Sequence, residues 1–92
     1  MAIGVYFSPA SMNKEQYEET LDRLDKAGQG SPRGRLYHAC FGEGSNLMVF
    51  DIWDTQENFE KFGETLMPIL AQLHIDAGQP DVMQVQNIIT GS

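Results

Sequence analysis

Apolar and polar positions along the chain follow two periods, and the changes of period predict six elements. Alternating segments rich in β-branched and aromatic residues predict strands, whereas apolar residues recurring every three or four positions predict helices. The first predicted helix begins at Asn13, with Gln16 in the capping-box position, and Tyr17 opens its apolar stripe. The second begins at Asp54, with Glu57 at its third position. The four predicted strands cover residues 2–8, 35–41, 46–53 and 81–89.

The order of these elements, β-α-β-β-α-β, predicts an α+β protein with the ferredoxin-like arrangement. Right-handed crossovers place both helices on one face of a four-stranded antiparallel sheet. The segment GEGS, residues 42–45, joins the second and third strands as a hairpin. A length of 92 residues is that of one domain, so residues 1–92 are expected to form a single domain.

The third strand carries apolar residues on both of its faces. In LMVFDIWD, residues 47–54, six of eight residues are apolar or aromatic, and Asp51 lies in the middle. A strand with one wet face alternates apolar and polar residues, so both faces of this strand need a cover. The helices cover one face, and the same face of a second copy is the simplest cover for the other. The sequence therefore predicts a homodimer formed through the open sheet face.

Composition excludes several classes of function. A net charge of −7 with six Lys and Arg argues against nucleic acid and against acidic membrane surfaces as partners. Arg33 and Arg35 are interpreted as solvated loop charges. The single cysteine, Cys40, is interpreted as a small buried thiol. No disulfide, secretory signal, membrane-spanning run or metal-binding spacing is evident, so a cytoplasmic protein without a metal is expected.

The segment FDIWDTQENFEKFGETLMPIL, with Asp51, Trp53, Asp54 and Phe59, resembles the dimeric α+β barrel superfamily, in its antibiotic-biosynthesis-monooxygenase-like branch. YHACF, which contains His38, and the closing VQNII also resemble this branch. The resemblance implies two sheets forming one barrel across a dimer, with a cavity between sheet and helices in each protomer. It also implies a cofactor-independent monooxygenase acting on an electron-rich aromatic, such as a quinol or an anthrone-type polyketide.

Two departures from the family pattern keep a non-catalytic alternative open. The second helix offers no arginine or histidine toward the cavity, and Val49 occupies a position where a polar side chain would help to bind substrate. The alternative is a homodimeric small-ligand-binding or structural module of the same fold; isomerase or cyclase chemistry is a further possibility. The haem-degrading branch is disfavoured because residues 55–73 hold no histidine and the first strand holds no asparagine. No cofactor is expected.

His38 and Asp51 are the candidate catalytic residues. Antiparallel pairing through an even loop puts His38 opposite Val49 and Leu36 opposite Asp51, so that His38, Asp51 and Trp53 share one face. A one-residue bulge would reverse this arrangement. Histidine suits proton transfer near neutral pH, so His38 is the expected base and Asp51 its orienting partner. The alternative is a half-buried histidine bonded to Asp51, a backbone carbonyl or water.

The candidate substrate-binding residues are aromatic or carry one polar atom suited to an apolar cavity. Trp53 is large and flat, and forms either a wall for a planar substrate or a seal between the sheet and the second helix. For each of the others a structural role is the alternative. The full set is Trp53, Tyr6, Tyr37, Phe59 and Asn87.

Overall fold

The computed structural model describes residues 1–91 and contains the six elements in the predicted order. The sheet order is β2-β3-β1-β4, and every neighbouring pair is antiparallel. This is the ferredoxin-like arrangement, so the predicted βαββαβ fold is confirmed. The strands are β1 (Ile3–Phe7), β2 (Arg35–Phe41), β3 (Met48–Trp53) and β4 (Asp81–Gln84), and the helices are α1 (Lys14–Lys26) and α2 (Gln56–Gln72).

The first helix begins as predicted, and the second begins one residue later than predicted. Asn13 Oδ1 accepts from the backbone N–H of Gln16 at 2.8 Å, and the Gln16 side chain accepts from the Asn13 backbone N–H. In α2 the cap is Thr55, which accepts from the backbone of Asn58. The prediction of Asp54 as the cap is wrong. Its backbone N–H donates to the carbonyl of Gly34 at 2.8 Å, next to the start of β2, so the helix begins one residue later.

The two helices bury one face of the sheet. From β1 this face contributes Ile3, Val5 and Phe7, which are all buried, and from β3 it contributes Asp51 and Trp53. Trp53 is fully buried. The helices complete the core with a stripe at helical spacing, formed by Leu24, Phe62, Leu66, Ile69 and Leu70.

The opposite, open face is also apolar, as the third strand predicted. Tyr37, Phe41 and Met83 are 53%, 47% and 61% exposed there. Tyr6 and Phe50 lie half-buried beside them, with the Tyr6 and Phe41 rings stacked at 6.5 Å and the Tyr37 and Phe50 rings 6.4 Å apart. Isolated apolar side chains are common on surfaces, but a contiguous aromatic sheet face is not.

The hairpin register differs from the predicted one by two residues. His38 pairs with Asp51 and Cys40 with Val49, because the loop is longer than GEGS and β3 begins at Met48. The shift is even, so His38 and Asp51 remain on one face, as predicted. A bulge between Arg35 and Tyr37 makes Leu36 the extra residue.

The last strand is shorter than predicted. β4 ends at Gln84, although the predicted strand extended to residue 89. Val85 still donates its backbone N–H to Ala2 at 3.0 Å. In this antiparallel register Ile3, the first residue of β1, lies opposite Gln84, so residues beyond Gln84 face no residue of β1.

Candidate functional site

Three polar side chains form a hydrogen-bonded chain between the sheet and α1. Asp51 Oδ1 lies 2.6 Å from His38 Nδ1, and His38 Nε2 lies 2.6 Å from the hydroxyl of Tyr17. The phenol and imidazole rings are nearly parallel, at 7°. Both distances are at the short end for hydrogen bonds, and for the Asp51–His38 bond this is expected because a carboxylate acceptor carries charge.

The sheet register explains why His38 and Asp51 meet. Asp51 lies on β3, which is a central strand, between Val5 of β1 and His38 of β2. Residues paired directly across strands point to the same face, here the face covered by the helices. Tyr17 reaches the pair from the first turn of α1. The capping box at Asn13 fixes the start of that helix and therefore the position of the phenol.

The bond to Asp51 distinguishes the two nitrogens of His38. An ionised carboxylate only accepts hydrogen bonds, so beside an ionised Asp51 side chain, which is 4% exposed, His38 Nδ1 donates. In a neutral imidazole with its proton on Nδ1, Nε2 accepts from the Tyr17 hydroxyl. A carboxylate that orients a histidine in this way is the arrangement of a general base whose reactive nitrogen faces a hydroxyl.

The surroundings of Tyr17 keep its hydroxyl protonated. Burial raises the pKa of Tyr17 above its ordinary value of 10.0, and the negative charges of ionised Cys40 and Asp51 act in the same direction. Arg35 opposes them. Burial also raises the pKa of Cys40. At neutral pH the Tyr17 hydroxyl is therefore a proton donor.

The hydrogen-bonded side chains of Asp51, His38 and Tyr17 border an apolar cavity of about 60 Å³ between the sheet and the two helices. Drug-sized ligands occupy pockets of roughly 300–1,000 Å³, so this cavity receives a small ligand or one edge of a larger one. Its polar lining comprises Tyr17, Thr20, Arg35, His38 and Asp51. Its apolar lining includes Phe7, Met12, Leu24, Val49, Phe62, Leu66 and Leu70.

Arg35 was interpreted from the sequence as a solvated loop charge, and this interpretation is wrong. The bulge at Leu36 turns Arg35 to the helix side, where its guanidinium carbon lies 5.7 Å from the centre of the Phe62 ring. Among the described residues that line the cavity, Arg35 is the one cation. The site therefore has a positive charge that the second helix does not provide.

Trp53 and Phe59 lie on the helix side of the sheet but not among the residues that line the cavity. The Trp53 ring is 5.8 Å from that of Phe59 and 5.1 Å from that of Phe62, which does line the cavity. Trp53 Nε1 is buried and has no hydrogen-bond partner within residues 1–91. A buried donor without an acceptor is unfavourable unless a ligand or water satisfies it.

Tyr6, Tyr37 and Asn87 lie away from His38. Tyr6 and Tyr37 are on the open face, where the Tyr6 hydroxyl donates to Met48 Sδ at 2.8 Å. Asn87 follows β4 and borders a broad trough on that face together with Tyr37. The structure thus brings His38 and Asp51 together, with Trp53 nearby, and separates them from these three residues.

Sequence reasoning missed two residues of the site. Tyr17 occupies an apolar-stripe position of an amphipathic helix, where a tyrosine gives no signal of a polar role. Arg35 is three residues from His38, an odd spacing that places two residues on opposite faces of a regular strand. The bulge at Leu36 cancels that expectation, and nothing in the segment RLYHACF marks it.

Two further classes of site find no support in residues 1–91. No group of three or more His, Cys, Asp or Glu side chains is arranged to hold a metal ion. No helix among these residues is both long and apolar enough to cross a membrane.

Solved structures with this fold include antibiotic-biosynthesis-type oxygenases. SnoaB from Streptomyces nogalater, a cofactor-independent oxygenase, aligns over 98% of both chains with a TM-score of 0.68 and 9% identity. A protein from Chloroflexus aurantiacus, named after the antibiotic biosynthesis monooxygenases, aligns over 98% of both chains with a TM-score of 0.67 and 12% identity. A protein so named from Deinococcus radiodurans covers 100% of this chain and 99% of its own, with a TM-score of 0.63 and 13% identity.

No protein-family model and no curated protein matches the chain. At identities of 9–13%, the structural likeness establishes the fold. The resemblance predicted from the third strand and the second helix is confirmed at that level.

Proposed function

We propose that this chain is a cofactor-independent monooxygenase of a small aromatic quinol, with His38 as the base and Asp51 as the residue that orients it. The observation that carries the proposal is the Asp51–His38–Tyr17 chain at the wall of an apolar cavity. Such a reaction requires a dry pocket, a base and a positive group near the developing anion. Arg35 is the positive group in this proposal.

The proposed chemistry uses dioxygen as the oxidant and the substrate as the reductant. The base removes a proton from a quinol hydroxyl, and the resulting phenolate transfers one electron to dioxygen. The substrate radical and superoxide then form a bond between a ring carbon and oxygen, and the peroxide takes a proton from the His38 imidazolium. Loss of water breaks the O–O bond and leaves a carbonyl. One oxygen atom stays in the product, a hydroxyquinone, and the other leaves as water.

The cavity favours a single-ring substrate within the quinol class. A volume of about 60 Å³ admits the reacting edge of one ring, whereas a three-ring anthrone requires α1 to move away from the sheet. We propose that Trp53 and Phe59 form the wall behind Phe62, with the unpartnered Trp53 Nε1 available to a substrate oxygen if the site opens. Tyr6, Tyr37 and Asn87 contribute to the open face instead.

A homodimer is part of the proposal, and the exposed aromatic sheet face supports it. Tyr37, Phe41 and Met83 are each about half exposed, and a second copy would bury them against their own counterparts. Native mass spectrometry and analytical ultracentrifugation test this directly. We expect a mass of twice the chain, and a Phe50→Lys variant that is monomeric. A wild-type monomer at micromolar concentration would contradict the dimer.

Oxygen consumption with a graded series of substrates tests the enzyme proposal. The series is hydroquinone, naphthohydroquinone and anthrone, with one, two and three rings. We expect consumption well above the spontaneous rate, greatest for hydroquinone, with isotopically labelled dioxygen incorporated into the product. A His38→Gln variant is expected to lose at least about 100-fold in kcat. Hydrogen peroxide formed without incorporation of label would contradict a monooxygenase.

The small cavity also favours a second candidate function, a non-catalytic module that binds a small apolar ligand. The cavity is about 60 Å³ and mostly apolar, and the polar chain then serves only to join α1 to the sheet. In that case His38→Gln lowers stability, while wild type and variant consume oxygen at the same spontaneous rate. The oxygen assay therefore separates the two functions.

A further inference from the structure

We propose that Tyr17, rather than His38, meets the substrate, and that it passes the substrate proton inward to His38. This inference rests on the proposed function and adds Tyr17 to it as a second catalytic residue. It follows from the occupancy of the two imidazole nitrogens. Nδ1 is bound to Asp51 and Nε2 to the Tyr17 hydroxyl, each at 2.6 Å.

A base with both nitrogens engaged cannot take a proton directly from a substrate. For direct transfer, the Tyr17 hydroxyl would have to leave Nε2, and a hydrogen bond of 2.6 Å would have to be replaced. If Tyr17 stays, its oxygen remains free to accept, because a hydroxyl donates one hydrogen bond and accepts two. The Tyr17 oxygen is therefore the terminal acceptor of the chain.

Tyr17 is placed to meet a ligand. Its phenol belongs to α1 and lines the same cavity as His38 and Asp51. Its titratable and charged neighbours are His38, Cys40 and Arg35 of β2 and Asp51 of β3. Burial raises the pKa of Tyr17, so its hydroxyl is protonated at neutral pH and can donate that proton to Nε2 of His38.

The proton balance of the relay closes without a further group. As the substrate O–H bond breaks, its proton bonds to the Tyr17 oxygen, and the Tyr17 proton moves to His38 Nε2. The imidazolium is stabilised by the buried Asp51 carboxylate. After the ring carbon has bonded to dioxygen, the two transfers reverse, and Tyr17 donates a proton to the peroxide. Tyr17 and His38 end each cycle in their starting states.

Two simpler roles for Tyr17 give different results on removal of its hydroxyl. If Tyr17 only masks the base, Tyr17→Phe frees Nε2 and kcat rises or stays the same. If Tyr17 only fastens α1 to the sheet, the variant loses activity in proportion to the loosening of α1. The relay instead requires a loss of kcat while the fold and the His38–Asp51 bond persist.

The test compares Tyr17→Phe with Arg23→Ala in the oxygen assay with hydroquinone. Arg23→Ala removes the contact with Gln72 of α2 and the ion pair with Glu19, so it loosens α1 away from its first turn and without touching the cavity. We expect Tyr17→Phe to lose at least about 100-fold in kcat and Arg23→Ala to stay within a few-fold of wild type. The downfield NMR resonance of the His38 Nδ1 proton should survive in both variants.

Replacement of Tyr17 by 3-fluorotyrosine provides a second readout, including the case in which Tyr17→Phe does not fold. The fluorinated phenol keeps the shape of tyrosine but is more acidic, so the relay requires the alkaline limb of the kcat profile to move to lower pH. An unmoved profile, or a Tyr17→Phe variant as active as wild type, overturns the relay while leaving the proposed function intact. A wild-type protein inactive with all three compounds overturns the proposed function, and the relay with it.

Discussion

The bond between His38 and Asp51 should be measurable as a coupling energy in a double-mutant cycle. His38→Ala leaves the Asp51 carboxylate buried at 4% exposure without a partner, a change that typically destabilises by about 3–5 kcal/mol. Asp51→Ala leaves the His38 N–H unpaired in a half-buried site, which costs about 1–3 kcal/mol. The double variant removes both partners, so its loss should fall short of the sum by about 1.5–3 kcal/mol.

Urea unfolding followed by tryptophan fluorescence is the assay. Trp53 is the single tryptophan and is fully buried, so its emission reports exposure of the core. With a slope of about 1–3 kcal/mol per molar urea, a loss of 3 kcal/mol moves the midpoint by roughly 1–3 M. All variants are compared at one protein concentration, because dimerisation would make stability depend on it.

A solvent-exposed pair on α1 serves as the control for this cycle. Asp22 and Lys26 lie 2.8 Å apart with side chains 52% and 75% exposed, and solvent-exposed pairs of this kind contribute little to stability. If the stability losses of the His38 and Asp51 variants add as closely as those of the Asp22 and Lys26 variants, His38 and Asp51 are not bonded in solution. The candidate site then lacks its oriented base.

Three further outcomes follow from the structure. Gly34 has φ +92°, and a Cβ there would overlap the Asp54 carboxylate, so Gly34→Ala should destabilise by about 1–3 kcal/mol. Gly63 lies in open space on α2, so Gly63→Ala should stabilise by about 0.5–1 kcal/mol. Urea midpoints of the two variants that move in the same direction would contradict this. Burial raises the pKa of Tyr17 above 10.0, so its contribution to stability is complete below pH 10.0 and is lost as pH rises through the higher native value; Tyr17→Phe should therefore flatten the alkaline fall of the unfolding free energy, and an unchanged slope would refute the assignment. Burial also raises the pKa of Cys40, so iodoacetamide at neutral pH should modify it several-fold more slowly in native than in urea-unfolded protein, and equal rates would show an accessible thiol.

The elements and their order could be predicted from the sequence because each depends on local pattern. The capping box at Asn13 and the apolar stripe of α2 depend only on residues close together in sequence. Because β3 is apolar on both of its faces, the sequence also predicted that the face opposite the helices is apolar. The meeting of His38 and Asp51 was also predictable, because an even change of hairpin register preserves the face that each side chain points to.

The parts of the site that were missed depend on contacts between distant elements. The Tyr17 hydroxyl meets its partner, His38, only when α1 packs on the sheet, because the two residues are 21 positions apart in sequence. The end of β4 depends on where its partner strand begins, and its own alternating residues do not encode that limit. Local periodicity therefore places elements more reliably than it places polar atoms between them.

The bulge at Leu36 means that distance along the chain is a poor guide to equivalence between related sites of this fold. Arg35 and His38 line one cavity at a spacing of three, whereas a protein with a regular strand would carry the corresponding pair at a spacing of two. At identities near 10%, a comparison made by sequence position would score the arginine as absent. A search for relatives that share this site should therefore match side chains in space and allow the cation to shift by one residue relative to the histidine.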